Sequence, residues 1–171
     1  MTTESQAAVA AGQSSPIGFH TLLVPVDFSE MGTKVLPYAQ KLASQFQSSV
    51  MLLHVFEPTY PYPVDGLAHF PGDLYDPRTE LQSRLSEKME QFVEEWKSVT
   101  NLPVKSEIRF GRAYDEICNA AREIQADLIV IPTHGYTGLK HMLIGSTAEK
   151  VVRHAPCPVL VIRPNASKDA G

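Results

Sequence analysis

The stretch Ile131–Ile162, IPTHGYTGLKHMLIGSTAEKVVRHAPCPVLVI, sets a glycine-bearing loop between an apolar strand and a short helix, then returns to an apolar strand. The residues leading into it, Asp127-Leu128-Ile129-Val130-Ile131, read as a strand buried on both faces of a parallel sheet. Gly135, Gly138 and Gly145 follow; glycine permits positive φ and close approach of a ligand to the backbone. Ser146 comes next and stands three residues before Glu149, the spacing of a capping box. A helix is therefore expected from Ser146 to about His154, with its first N–H groups and positive dipole end turned toward the loop, where a phosphate could be held. That makes the loop glycines, Gly145, Ser146 and Thr147 the phosphate candidates. The competing reading gives these glycines to a tight turn that binds nothing. If Ser146 caps its own helix and Glu149 folds back beside it, both oppose a phosphate, and only main-chain N–H groups remain to bind one.

Outward from that stretch, strand patterns fall at about His20–Val26, Ser49–Phe56, Val104–Phe110, Asp127–Pro132 and Pro158–Arg163. Helical patterns lie between them at about Ser29–Gln45, Arg78–Thr100 and Tyr114–Gln125. In the first, Leu36, Ala39, Leu42, Ala43 and Phe46 share a face; in the second, Leu81, Leu85, Met89, Phe92 and Trp96 recur every three or four residues. Five strands separated by helices predict an α/β protein, a five-stranded parallel sheet with right-handed crossovers and helices on both faces.

With 171 residues, 43% of them hydrophobic, the chain can bury one substantial core and has little left for a second. A formal charge of −4 gives no global attraction to nucleic acid or to an anionic membrane, so any phosphate site must be local. No run of about 18 apolar residues occurs, as a membrane-spanning helix would need. Residues 1–18 are small and polar and read as a disordered tail without a signal peptide, and residues 165–171 as a second tail, flanking one domain over 19–164. Cys118 and Cys157 have neither metal-site nor redox-motif spacing and read as reduced thiols, which makes the cytoplasm the expected location.

Several chemistries lack their signatures. No Gly-Lys-Ser/Thr occurs and Lys140 precedes the last glycine, so a fast P-loop ATPase is not expected. Asp27-Phe28-Ser29-Glu30 stands where a dinucleotide fingerprint would follow the first strand, which counts against a dehydrogenase. His134 and His141, seven apart, do not have a usual zinc spacing. Magnesium, if present, is expected through substrate phosphates rather than a protein cage. Asp27 has two readings: a cap for the next helix, in competition with Ser29, or a ligand-facing carboxylate at the carboxyl end of a strand, where binding crevices form.

The pattern around the glycine loop resembles that of the universal stress proteins, whose nucleotide-binding members carry Gly-x-x-Gly-x9-Gly-Ser/Thr after the fourth strand. Here Gly135 is the second glycine, nine residues (Tyr136 to Ile144) separate it from Gly145, and Ser146 fills the hydroxyl position. Pro132 replaces the first glycine. Leu22-Leu23-Val24-Pro25-Val26-Asp27-Phe28-Ser29 resembles the family's first strand and acidic turn, Leu52-Leu53-His54-Val55 its second strand, and Ala155-Pro156-Cys157-Pro158-Val159-Leu160-Val161-Ile162 its last. The resemblance spans about His20 to Arg163 and implies a Rossmann-like adenine-nucleotide hydrolase-type fold with strand order 3-2-1-4-5. It further implies a stress-response regulator that binds ATP or another adenine nucleotide, with Mg²⁺ on the phosphates. Asp27 would lie near the nucleoside, the Val55 backbone at the adenine edge, and Pro132 beside the ribose. The implied site comprises Pro25, Val26, Asp27, Val55, Ile131, Pro132, Thr133, His134, Gly135, Gly145, Ser146 and Thr147. Slow ATP hydrolysis in the same pocket, with Arg112 and Arg153 unplaced, and a dimeric module that has lost its nucleotide are the alternatives.

Two segments bear on partners. Residues 57–77 form a long connection rich in proline and aromatics, including Tyr60, Tyr62, Phe70 and Tyr75, and such a loop is commonly functional or disordered. It reads as a lid, a surface for a protein partner, or an insertion of no consequence. Val159-Leu160-Val161-Ile162 would form an apolar sheet edge able to pair with another chain. The family resemblance implies a homodimer through this strand; the alternative is that the tail from Pro164 covers it.

Overall fold

A computed structural model describes residues 18–58, 77–133 and 145–163 of the chain. Strands β1 (Thr21–Pro25), β2 (Ser49–Phe56), β3 (Val104–Phe110), β4 (Leu128–Pro132) and β5 (Val159–Ile162) form one sheet in the order β3-β2-β1-β4-β5, with all neighbours parallel. Helices α1 (Glu30–Thr33), α2 (Leu36–Phe46), α3 (Pro77–Val99), α4 (Ala113–Glu123) and α5 (Ser146–His154) connect them. The two expected tails and most of the 57–77 connection lie outside the described residues, as do His134, Gly135, Gly138, Lys140 and His141.

Side-chain alternation along the strands divides the core into two layers. Leu22, Val24, Val50, Leu52, Leu128 and Val130 pack under α2 and α3, against Leu36, Ala39, Ala43, Met89, Phe92 and Trp96. On the opposite face Leu23, Leu53, Ile129 and Ile131 meet Ile117, Ala120 and Ala121 of α4 and Ala148 and Val151 of α5. Burial on both faces explains the uninterrupted aliphatic runs of β1 and β4.

One expected element is corrected. The helix expected over Ser29–Gln45 is two helices, α1 and α2, because Pro37 stands at the start of α2. Proline has no N–H and its ring clashes with the carbonyl four residues back, so it is tolerated only in a first turn. The chain restarts there, with Tyr38 and Ala39 N–H both donating to Val35 O at 3.1 Å. At its other end α2 stops on Gln47 in the left-handed region, φ 54°.

The pairing of the central strands opens a crevice. β1 runs beside β2 as far as Pro25 and β4 beside β5 as far as Pro132, yet β1 and β4 pair only at Leu22 with Leu128 and Leu23 with Ile129. Beyond those pairs the two strands part toward their carboxyl ends. Since β1 leads away to one side of the sheet and β4 to the other, this is the topological switch point of a doubly wound sheet, where ligands bind.

Asp127, read from sequence as an opening strand residue, has a second task. Its Oδ2 accepts from His20 N at 2.8 Å and Thr21 N at 2.9 Å, while its own N–H donates to Thr21 O. The carboxylate thus clips β1 and β4 together at the end opposite the crevice. Asp127→Ala should lower the unfolding free energy by about 1.5–3 kcal/mol, the scale of hydrogen bonds to a charged group, measured by urea denaturation; an unchanged midpoint would show that water serves these N–H groups equally well.

Candidate functional site

The crevice holds a cavity of about 260 Å³, just below the usual range for small-molecule sites. Pro25, Val26, Asp27, Val55, Ile131, Pro132, Thr133, Gly145, Ser146 and Thr147 all line it, so four separate chain segments converge as expected. Leu53, Ala113, Ile117 and Ala148 complete the lining and were missed by the sequence reading. Leu53 was within reach, because it shares a strand face with Val55 two residues on. Ala113 and Ile117 carry ordinary helix-core signals, and nothing in their identities separates core from cavity wall.

Asp27 does not cap α1: its competitor Ser29 does, through its own hydroxyl, while Asp27 holds Ser29 in place. Oδ1 accepts from Ser29 N at 3.0 Å and Ser29 Oγ at 2.6 Å, and Ser29 Oγ in turn accepts from Gly32 N at 3.1 Å. Oδ2 is buried and has no hydrogen-bond partner among the described residues. A buried acceptor left unpaired costs on the order of 1–3 kcal/mol, more when charged, so a donor brought by a ligand would relieve it.

The strand edges supply further polar groups. Val26 N donates to Leu53 O at 2.8 Å, so Leu53 turns its main-chain groups toward β1. Val55, two residues on, turns its N–H and C=O the same way, past the point where β1 ends. On β4, Ile129 N and Thr133 N donate across to β5, at Pro158 O and Ile162 O. By the alternation of a parallel ladder the imide nitrogen of Pro132 then faces the crevice. The proline removes no sheet hydrogen bond, which is why this strand tolerates it, and it gives a ligand no donor.

The start of α5 departs from the expected capping box. Gly145 is the N-cap, in an ordinary extended conformation at φ −69°, ψ 154°, and no side chain caps the helix. Ser146 is the first helical residue and cannot cap the helix from there, while Glu149 pairs forward with Arg153 at 2.7 Å. The anticipated competition with phosphate is therefore absent: the N–H groups of Ser146, Thr147 and Ala148 have no carbonyl within their helix, while the main-chain N–H of Glu149 already reaches Gly145 O. Gly145 N donates to Thr133 O at 2.6 Å, pinning the end of β4 to the start of α5.

The other helix start at the crevice is already occupied. Ala113 N, in the first turn of α4, donates to a Glu57 carboxylate oxygen at 3.1 Å. Arg112 is the exposed N-cap of α4 and Arg153 is engaged by Glu149; neither belongs to the described lining, whose one charged residue is Asp27. Among the described residues no group of three or more His, Cys, Asp or Glu is placed to hold a metal ion, and no helix is long and apolar enough to cross a membrane. Cys118 and Cys157 are free, and burial raises both thiols above their usual range.

Behind the site, on the other face of the sheet, His54 supports the acidic turn. It is buried, its Nδ1 donates to Val26 O at 2.8 Å, and its ring stacks on Phe28 at 4.0 Å between centroids. Phe28 has φ 58°, an uncommon conformation for a residue with a side chain, and Lys88 Nζ lies 5.8 Å from its ring centre. Burial lowers the His54 pKa below its ordinary 6.5, the bond to Val26 and the charge of Asp27 oppose that shift, and the charge of Lys88 adds to it.

A profile described as the Universal stress protein family matches residues 18–163. A universal stress protein of Methanocaldococcus jannaschii is 31% identical over 147 residues, covering 85% of this chain and 82% of the relative. Among solved structures, the universal stress protein UspA from Lactobacillus plantarum superposes with a TM-score of 0.69 at 26% identity, over 85% of this chain and 99% of that one. A universal stress protein from Archaeoglobus fulgidus, solved in complex with dAMP, shares the fold with a TM-score of 0.59 at 19% identity, over 86% and 99% of the two chains.

The depressed pKa of His54 has a defined consequence for stability. Because the folded state resists protonation more than the unfolded chain, its contribution is complete above pH 6.5 and is lost as pH falls from there toward the lower folded value. Chemical denaturation at pH 7.5 and 5.5 should show a drop in stability that is smaller in His54→Asn; an equal drop in both proteins would assign the effect to other groups.

Proposed function

This chain belongs to the universal stress protein family, and from that membership we propose that it binds an adenine nucleotide, ATP in the first instance, in the crevice between β1 and β4. The observation that carries the reading is that one cavity is lined both by Asp27, whose buried Oδ2 has no partner among the described residues, and by an uncapped helix start. These groups suit opposite ends of a nucleotide. A ribose hydroxyl or an amine donates to Asp27, the base lies along Val26, Val55 and Ile131 with its edge at the outward groups of Val55, and phosphate oxygens accept from the N–H groups that open α5. The dAMP-bound Archaeoglobus protein is consistent with this use of the fold.

Magnesium fits the same reading as a companion of the phosphates. The described lining contains no lysine or arginine, so a divalent cation would supply the neutralising charge there, with the hydroxyls of Ser146 and Thr147 at that end of the cavity. Binding would act by linkage. A ligand held by β1, β2, β4 and α5 together stabilises their native arrangement in proportion to RT ln(1 + [L]/Kd) and changes the surface shown to a second copy or a regulatory partner. The second copy would pair along β5, whose Val159, Leu160 and Val161 are half-buried at the sheet edge.

Calorimetric titration of nucleotide-stripped protein with ATP and Mg²⁺ tests the reading; absence of binding, with a stable dimer, would favour an interaction module that has lost its ligand. Two variants sharpen it. Pro132→Gly restores an N–H on the crevice side and should tighten binding by about 1 kcal/mol, the net value of one hydrogen bond; unchanged affinity would remove Pro132 from the contact set. Gly145→Asp places a carboxylate where it can cap α5, so it should raise stability by a few tenths of a kcal/mol and weaken ATP at least tenfold. Tight binding in that variant would move the phosphates away from α5.

A further inference from the structure

We propose that Gly32, in α1 and outside the lining of the cavity, is a positioning residue that sets the direction of the Asp27 carboxylate. The inference rests on the nucleotide-binding reading above and adds to it a control on its key acceptor.

A methyl group built on Gly32 would stand 2.5 Å from Asp27 Oδ1, 3.4 Å from Asp27 N and 3.6 Å from its carboxyl carbon. The first distance is far inside van der Waals contact, whereas the other two are tolerable. The conflict is therefore confined to one carboxylate oxygen, at the movable end of a side chain. That oxygen is held in place by Ser29 N and Ser29 Oγ, and the same Ser29 hydroxyl is fixed by Gly32 N. Gly32 thus acts twice, by donating to the residue that grips Oδ1 and by leaving the space Oδ1 occupies. With Oδ1 fixed, planarity of the carboxylate fixes Oδ2, the buried oxygen without a partner among the described residues. A side chain at position 32 would force the carboxylate to turn, break its bonds to Ser29 and take Oδ2 out of its present direction.

The backbone gives no other reason for glycine here. Gly32 is helical and is not among the positive-φ residues, and in a helix alanine is ordinarily the more stable choice. Gly32→Ala should accordingly be tolerated by the fold while weakening the ligand.

The test is a double-mutant cycle of Gly32→Ala and Asp27→Ala in the full chain, read by calorimetry with ATP and Mg²⁺ and by thermal melting without ligand. Gly32→Ala alone should weaken ATP by about tenfold to a hundredfold, the scale of one hydrogen bond to a charged group. In the Asp27→Ala background it should cost nothing further, because the group it aims is gone. Its effect on Tm should be unfavourable in the wild-type background and favourable where Asp27 is alanine. Wild-type affinity in Gly32→Ala, or the same loss in both backgrounds, overturns the proposal. If wild-type protein binds no nucleotide, the functional reading fails by itself; in that case, or if Asp27→Ala binds too weakly to titrate, the ligand-free melting cycle decides, and additive shifts in Tm overturn the coupling of Gly32 to Asp27.

Discussion

The parting of β1 from β4 after two paired positions is the constraint on which the site depends. A parallel sheet gains from every added ladder bond, yet here two central strands separate while their outer partners run on to Pro25 and Pro132. Asp127 holds them together at the opposite end through two N–H groups of the β1 approach. The separation exposes main-chain and side-chain polar groups at the centre of an otherwise aliphatic sheet, at the one place where each flanking helix turns to a different face. Polar groups there gain more from a partner than they would at the surface, because the surroundings are apolar.

Around the crevice the protein's own charges are arranged so that few of them compete for the ligand positions. Glu57 occupies the start of α4, Arg153 draws Glu149 away from the start of α5, and Ser29 takes one oxygen of Asp27 and leaves the other. Arg109 lies against Glu107, Glu116 and Glu123 on the β3 and α4 side and is satisfied there. Among the described residues, what remains available is an oxygen of Asp27, the main-chain groups of Val55 and the start of α5. The nucleotide proposed above would use these groups with a donor at one end and an anion at the other.

Much of this was legible in the sequence, and the reasons are particular. The aliphatic runs of β1 and β4 announced strands buried on both faces, and the helical periodicity of Leu85, Met89, Phe92 and Trp96 announced α3. Strand order required a resemblance, because nothing in a single strand's composition says which neighbour it takes. The break between α1 and α2 was legible in Pro37, whose ring ends a preceding helix; the apolar face of Leu36, Ala39, Leu42, Ala43 and Phe46 marks α2 alone. The capping box at Ser146 was a one-residue error with chemical consequences: the spacing to Glu149 was right for a box, while the chain placed Gly145 at the cap and freed the hydroxyl. Asp127 and Gly32 were invisible as functional positions because each acts through a partner far away or through the absence of atoms.

The bond from Gly145 N to Thr133 O has a consequence for how this architecture can diversify. It joins the two ends of an eleven-residue segment, 134–144, at its base. The crevice wall and the helix that opens beside it are thus set without reference to the number of residues strung between them. Loop-closure entropy grows only logarithmically with length, so doubling such a segment costs about 0.6 kcal/mol. Added length there costs the fold little while the sheet stays constant, whereas Gly135 and its nine-residue spacing to Gly145 remain tied to the proposed phosphate site.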